Sequence, residues 1–208
     1  GWIAMTGVLT GMNDLPTSVG EKKWGGHSAA FDLPSGLPWM QMVRKSLELA
    51  TIADVNEYIL SHDVAKKDAN SVSIHLGYGD DKSDTIRGYE VGYNYSKTFA
   101  WDTMGYSAKT PRTPELENVM YWCKNSNPHT MCPAEMLTAA HGAMDAEWMA
   151  MYYSPNDKTG DTQVVGFDLE NLKVWYANSR KSTGGGSLCA YYRQRTVLDM
   201  KALFNEAQ

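Results

Sequence analysis

The sequence lacks several features, and each absence excludes a class of protein. No apolar run approaches the roughly 18 residues that a membrane-spanning helix needs, so we expect no transmembrane segment. Acidic residues outnumber basic ones by 24 to 19, and no basic stripe is present, so we expect no nucleic-acid partner. Cysteine is scarce, and three residues do not decide the redox compartment by their number alone.

The length of the chain favours one domain with a full core. A chain of 208 residues buries roughly 70% of its unfolded surface when it folds. We therefore expect a single domain over residues 1–208. Seven Trp and twelve Tyr are many for this length and would suit a large interface or a face that binds an amphiphile, although core packing explains most of them one at a time.

Hydrophobic periodicity predicts that helix pairs and sheets alternate along the chain. The predicted strands are residues 2–9, 15–20, 72–76, 86–92, 97–103, 148–153, 163–169 and 173–177, and the predicted helices are 37–50, a second one capped by Thr51, one ending near 122, and 133–142. Segregation of this kind is typical of an α+β protein in which antiparallel sheets are covered by helices.

Residues 6–13 and 19–23 form the most informative stretch. They read Thr-Gly-Val-Leu-Thr-Gly-Met-Asn and Val-Gly-Glu-Lys-Lys. An apolar run with small residues, a tight turn and a second short extended run predict a buried hairpin that ends on the carboxylate of Glu21. On pattern alone, a plain core hairpin whose glycines serve only the turns explains the stretch as well.

This hairpin resembles the second hairpin in the acyltransferase and amidase branch of the N-terminal-nucleophile (Ntn) hydrolases. That branch, the peptidase C45 group, includes acid ceramidase, the penicillin acyltransferases and the choloylglycine hydrolases, and the secreted acid-ceramidase-like members are the most similar. Further matching motifs lie at residues 70–90, 141–153, 164–177, 190–194 and 199–204. The resemblance implies a four-layer αββα sandwich of two antiparallel sheets flanked by helix pairs. It also implies an enzyme without a cofactor that cleaves an N-acyl, lipid-like amide.

The nucleophile of such an enzyme is not found in this chain. Enzymes of the group expose a chain-terminal Cys, whose own α-amino group serves as the base, after the precursor has cut itself. This chain begins with Gly1, which has no side chain. We therefore expect it to be the C-terminal part of a longer precursor, held by a second polypeptide that carries the nucleophile.

The resemblance implies supporting roles for two residues. Glu21 falls where acid ceramidase has a carboxylate near its nucleophile, and Arg112 opens an Arg-Thr-Pro run like that of the ceramidases. A salt-bridged Glu at a strand end and a surface Arg at a helix start would give the same patterns. The Thr-Asn pair expected around residues 99–102 is missing, so an inactive relative that serves as a secreted structural or binding protein is the alternative function.

The cysteines and one tripeptide bear on the compartment. Cys123 and Cys132 enclose a polar Asn-Pro turn, and a disulfide between them would stabilise the fold by about 2–3 kcal/mol. His129 makes zinc the rival, but two Cys and one His lack a fourth ligand, so we expect no metal. Cys189 is then left to pair outside the chain. Asn94 begins an Asn-Tyr-Ser glycosylation sequence. Together with the expected disulfide and the resemblance to lysosomal and secreted amidases, it leads us to expect a secreted or lysosomal protein.

We predict that Cys123 and Cys132 are bonded to each other. Peptide mapping without reduction should recover the two cysteine peptides joined. Free thiols at both positions, or bound zinc, would contradict the disulfide.

We also predict that Asn94 carries a glycan in native material. Treatment with an amide-cleaving glycosidase should lower the apparent mass of the protein. An unchanged mass in protein from its natural source would count against secretion.

Overall fold

The computed structural model describes most of the chain. The described residues are 10–24, 39–61, 73–82, 85–92, 95–102, 116–120, 131–158, 160–181, 183–184 and 186–206. The chain divides into two compact units, residues 1–104 with 118–124 and residues 105–117 with 125–208. Within the described ranges, no helix combines the length and the apolar character needed to span a membrane.

The first unit is a five-stranded antiparallel sheet with two helices. Its elements are β1 (Gly11–Met12), β2 (Thr17–Trp24), α1 (Trp39–Ser46), α2 (Ile52–Leu60), β3 (Ser73–Asp80), β4 (Thr85–Gly92) and β5 (Tyr95–Phe99). The strands lie side by side in chain order, and each is antiparallel to its neighbours. The predicted meander after residue 72 is confirmed, whereas the predicted strand 2–9 lies outside the described residues.

One core joins the helices to one face of this sheet. Its buried members are Val19, Met42, Val43, Val55, Ile59, Leu76, Tyr78, Tyr89 and Val91. The second helix begins where the sequence predicts, because the Thr51 hydroxyl accepts a hydrogen bond from the Asp54 amide at 3.2 Å and donates to the Asp54 carboxylate at 2.7 Å. The helix then buries Val55 and Ile59, one turn apart.

The second unit combines a three-stranded sheet with short helices. Its elements are α3 (Met131–Ala140), α4 (Ala146–Trp148), a π-helical turn (Met149–Tyr153), α5 (Ser154–Asp157), β6 (Gln163–Asp168), β7 (Lys173–Asn178), β8 (Arg180–Lys181), β9 (Ser187–Leu188), a 3₁₀ helix (Ala190–Tyr192), β10 (Thr196–Asp199) and α6 (Met200–Glu206). The larger sheet has the antiparallel order β10-β7-β6, and β8 pairs with β9. The predicted β6–β7 hairpin and the predicted helix after Pro133 are confirmed.

The predicted strand over residues 148–153 is wrong, because this stretch is helical. The Asp145 side chain accepts a hydrogen bond from the Trp148 amide at 2.6 Å and so caps the helix start. Burial then follows a helical spacing. Ala150 and Tyr153 are buried, whereas Tyr152 is 60% exposed. A short apolar run does not distinguish a buried strand from a helix, and here the cap decided the outcome.

The predicted helix that ends near residue 122 is also wrong where the structure describes it. Residues 117–118 form a turn, and residues 116, 119 and 120 have no regular secondary structure. Asn118 has a φ of 59°, which lies in the left-handed region and interrupts a right-handed helix. The rest of that prediction lies outside the described residues.

Arg195 links two helical segments of the second unit. The side chain is buried, and its guanidinium donates to the Ala150 carbonyl at 2.9 and 3.1 Å, to the Ala190 carbonyl at 2.8 Å and to the Tyr191 carbonyl at 3.1 Å. Burial lowers the pKa of Arg195. Because these carbonyls are hydrogen-bonded to a charged donor, the π-helical turn is tied firmly to the 3₁₀ helix.

We predict that Gly166→Ala destabilises the protein by about 1–3 kcal/mol, because the π-helical segment packs directly on this glycine of β6. An added Cβ would lie 2.6 Å from the Ala146 carbonyl oxygen and 3.1 Å from the Ala150 Cβ. Urea unfolding measures the change in the free energy of unfolding. Gly77→Ala in β3 is the matched control, since nothing lies within 4 Å of its added Cβ. Equal stability of the two variants would contradict the prediction.

Candidate functional site on strand β2

An asparagine before β2 sets where the strand begins. The Asn13 side-chain oxygen accepts hydrogen bonds from the amides of Leu15 at 3.1 Å and Thr17 at 2.9 Å. Its amide group donates to the Leu47 carbonyl, just beyond α1, at 2.7 Å. One polar side chain therefore holds both the tight turn and the end of the helix, as Asn commonly does in turns.

The pairing register places Glu21 on the face of the sheet that the helices cover. Glu21 stands opposite Leu76 of β3, which stands opposite Tyr89 of β4, and both of these neighbours are fully buried. The row ends at Thr98 of β5, whose hydroxyl donates to the Asn56 side chain of α2 at 3.2 Å. Because opposite residues of paired strands share a face, Glu21 is directed toward the helix side.

Burial strongly perturbs the Glu21 carboxyl group. Loss of contact with water raises the pKa of Glu21 from 4.5 to about 7. Within the described residues, the ion pairs join Arg44 and Lys45 to Glu48, and none of them involves Glu21. A carboxyl group with a pKa near 7 is partly protonated at neutral pH, so it is able to donate or accept a proton there.

Three buried hydroxyl groups share this face with Glu21. The hydroxyls of Thr17, Tyr78 and Tyr89 find no hydrogen-bond partner among the residues that the structure describes. Burial raises the pKa of both tyrosines. Orphaned polar groups are rare in protein interiors, so this polar interior is unusual.

The opposite face of the sheet carries a row of glycines. Gly20 of β2 pairs with Gly77 of β3, which pairs with Gly88 of β4, and the row ends at Phe99 of β5. A Cβ built on Gly20 or Gly77 would meet nothing within 4 Å. The backbone of β2 and β3 is thus open to close approach at Gly20 and Gly77, whereas Gly88 of β4 is buried.

A cation borders the aromatic end of the glycine row. The Lys97 ammonium group lies 4.6 Å from the centre of the Phe99 ring. This distance is within the range of cation–π contacts. Among the described residues, no group of three or more His, Cys, Asp or Glu side chains is arranged to hold a metal ion.

Glu21 alone of the predicted catalytic residues lies in the described part of the chain. Arg112, Cys123 and Asn94 fall outside it, as does the side chain of Cys132, whose backbone lies in α3. The roles of these residues stay predictions. Sequence reasoning missed the buried hydroxyls and the glycine row, because both become visible only once the strand pairing is known.

Cys189 is a free thiol in the second unit. It contacts Tyr191, and a hydrogen bond between the two side chains, assisted by burial, raises the pKa of Tyr191 to about 12. The Tyr191 ring in turn packs edge-on against the Tyr192 ring, with centroids 4.5 Å apart. The expected pairing of Cys189 with another chain remains a prediction.

Two longer proteins of Dictyostelium discoideum are similar in sequence to this chain. Protein dcd1A is 22% identical over 215 residues, which cover 99% of this chain and 47% of that protein. Protein dcd1B is 24% identical over 177 residues, which cover 84% of this chain and 34% of that protein. The chain therefore spans less than half the length of either relative. No protein-family model matches the chain.

A solved structure establishes the fold. A mutant of the conjugated bile acid hydrolase from Clostridium perfringens matches 94% of this chain and 73% of its own, with a TM-score of 0.56 and 10% sequence identity. This similarity confirms the predicted α+β class and the Ntn-hydrolase fold. At this level of identity it concerns the fold alone, and the activity is a separate question.

We predict that stability falls by up to about 3 kcal/mol as the pH rises from 4.5 to about 7, through the titration of Glu21. Between these values the native state holds a proton that the unfolded chain releases, so the stabilisation is complete below 4.5 and lost above 7. Urea unfolding at several pH values measures this slope.

Glu21→Gln should remove the slope and make the protein more stable than the wild type at about pH 8, because an amide stays neutral. Glu57→Gln, which changes an exposed side chain of α2, is the matched control and should retain the wild-type slope. A slope that survives unchanged in Glu21→Gln would refute the assignment.

Proposed function

We propose that this chain is part of a secreted or lysosomal Ntn amidohydrolase that cleaves an N-acyl amide, in the manner of acid ceramidase. The observation that carries the proposal is the fold similarity to a conjugated bile acid hydrolase over 94% of the chain. That protein is a conjugated bile acid hydrolase, and the resemblance of the β2 hairpin to acid ceramidase supports an N-acyl amide as the class of substrate.

The catalytic nucleophile in this proposal is a Cys on a second polypeptide from the same precursor. Both Dictyostelium relatives extend well beyond the region they share with this chain, so a protein of their length has room for such a segment. The Cys would attack the amide carbonyl, form an acyl-enzyme and release the amine, and water would then release the acid.

Glu21 supports the reaction indirectly in this scheme. Its side chain lies on the helix-covered face and is half-buried, so we assign it an electrostatic role within β2 rather than contact with the substrate. Arg112 is proposed as a second supporting group. In an acidic compartment Glu21 would be protonated and its burial would carry no charge penalty, which supports the lysosomal or secretory assignment.

A lipid-like substrate agrees with the surface chemistry of the second unit. Tyr152 and Tyr192 are each 60% exposed, and Met151 is 42% exposed. Tyrosine and methionine on a surface are suited to an amphiphile, because one part of the group is apolar and the other tolerates water or adapts in shape.

An inactive relative with the same fold is the second candidate, serving as a secreted structural or binding protein. The observation in its favour is the missing Thr-Asn pair, since residues 99–102 read Phe-Ala-Trp-Asp where the resemblance calls for an oxyanion donor. Asp102 is exposed in a turn after β5.

The test is amide hydrolysis by protein purified from its natural source with every associated chain retained. We expect release of the amine from N-dodecanoyl sphingosine, and loss of this activity after alkylation with iodoacetamide. Intact-mass analysis should find the critical alkyl group on the terminal Cys of the companion polypeptide. Cys189→Ser is the control variant and should remain both active and sensitive to alkylation.

Binding of the same amide without any turnover would support the inactive relative instead. Turnover that survives complete alkylation of every chain-terminal Cys would overturn the proposed nucleophile. An alkylation-sensitive activity that disappears in Cys189→Ser would identify Cys189 of this chain as the nucleophile.

A further inference from the structure

The outer edge of β6 has a defined set of unpaired backbone groups. The Ser179 amide donates to the Thr162 carbonyl at 2.7 Å, just before the strand, so alternate residues from Thr162 onward bond to β7. The intervening residues Gln163, Val165 and Phe167 direct their N–H and C=O groups away from β7.

These outward groups have no backbone partner among the described residues. The edge is closed at one end, where the Ala190 amide donates to the Asp161 carbonyl at 2.9 Å. Gln163, Val165 and Phe167 are half-buried rather than fully exposed. A row of unpaired but partly shielded groups is the template to which another strand adds.

The other sheet edges in the described residues are shorter or protected. β1, β8 and β9 have two residues each and β10 has four. β5 carries Lys97 in its middle, and the part of β2 beyond β1 carries Glu21, Lys22 and Lys23. β6 is six residues long, contains no proline and is uncharged until Asp168 at its end. Natural proteins protect exposed edges by short length, charge or proline, and β6 uses none of these devices.

We infer that the outer edge of β6, at Gln163, Val165 and Phe167, pairs with a β-strand supplied by the second polypeptide of the same protein. This inference rests on the proposed function, which supplies that polypeptide. The occupant is favoured over a second copy because the match covers 73% of the hydrolase chain, so part of that fold has no counterpart in this chain.

The side chains beside the edge indicate the chemistry of the incoming strand. Val165 and Phe167 lie on one face of the sheet, and Val164 and Gly166 lie on the other, where Gly166 meets Ala146. A strand added here would place its side chains beside both sets. We expect an alternating segment with apolar residues next to Val165 and Phe167.

Hydrogen exchange at single-residue resolution tests the inference on the intact, assembled protein. The amides of Gln163, Val165 and Phe167 should exchange about a hundredfold more slowly than the amide of Val197, which points outward from β10. Their exchange rates should match those of the Val164 and Gly166 amides, which bond to β7. Native mass spectrometry of the same sample reports separately whether a companion polypeptide is present.

The two measurements distinguish failure of the inference from failure of the proposed function. A companion that is present while the three β6 amides exchange as fast as Val197 overturns the edge assignment alone. Slow exchange with no companion also overturns it, and a doubled mass would then identify a second copy as the occupant. Absence of any companion removes the proposed two-chain hydrolase as well.

A pair of proline variants gives a second, independent readout. Val165→Pro removes an outward N–H without removing a bond to β7, so companion binding should weaken at least about tenfold. Val197→Pro makes the same change at the outward position of β10 and should leave the companion bound. Equal retention of the companion by both variants would refute the pairing, provided that circular dichroism finds both folded.

Discussion

The register of β2 against β3 decides which face of the sheet each candidate residue occupies. Eight residue pairs, from Thr17 opposite Asp80 to Trp24 opposite Ser73, fix this register. Because side chains alternate along a strand, Glu21 lies on the helix-covered face and Gly20 joins the glycine row on the opposite face. A slip by one residue would exchange them, burying a glycine and exposing the carboxylate. The core and the candidate site of the first unit therefore depend on one constraint.

The position of Glu21 lowers the stability of the fold when the carboxyl group is charged. A carboxylate beside Leu76 and Tyr89 loses water, and no described cation compensates for the loss, so its pKa rises. A glutamine would fill the same volume without a charge penalty. A group kept in a destabilising environment is typical of sites where a perturbed pKa is used, although structural networks produce such shifts as well. The penalty disappears when the carboxyl is protonated, which makes this interior better suited to acidic than to alkaline conditions.

Sequence reasoning succeeded where the controlling interactions are local and failed where they are distant. The cap at Thr51 involves a residue three positions away and was predicted, as was the α+β class. The apolar run 148–153 was misassigned because its pattern fits either secondary structure and only the cap before it distinguishes them. Glu21 was identified through a resemblance, but its burial was not. Tyr78 and Tyr89 share its face of the sheet only through pairings between strands far apart in sequence.

The second unit combines a firmly held strand with an open edge, and the two properties support each other. Gly166 lets the π-helical segment pack directly on β6, and Arg195 binds that segment through the Ala150 carbonyl to the 3₁₀ helix. The Asp161 carbonyl, just before β6, is held by the amide of the same 3₁₀ helix. β6 is therefore ordered on one face and at one end, whether or not its outer edge is paired. A strand that joins such an edge orders only itself, so less conformational entropy opposes its binding than at a flexible edge. The same rigidity makes an unpaired β6 a persistent template for unwanted association, which favours a protein in which that edge is covered.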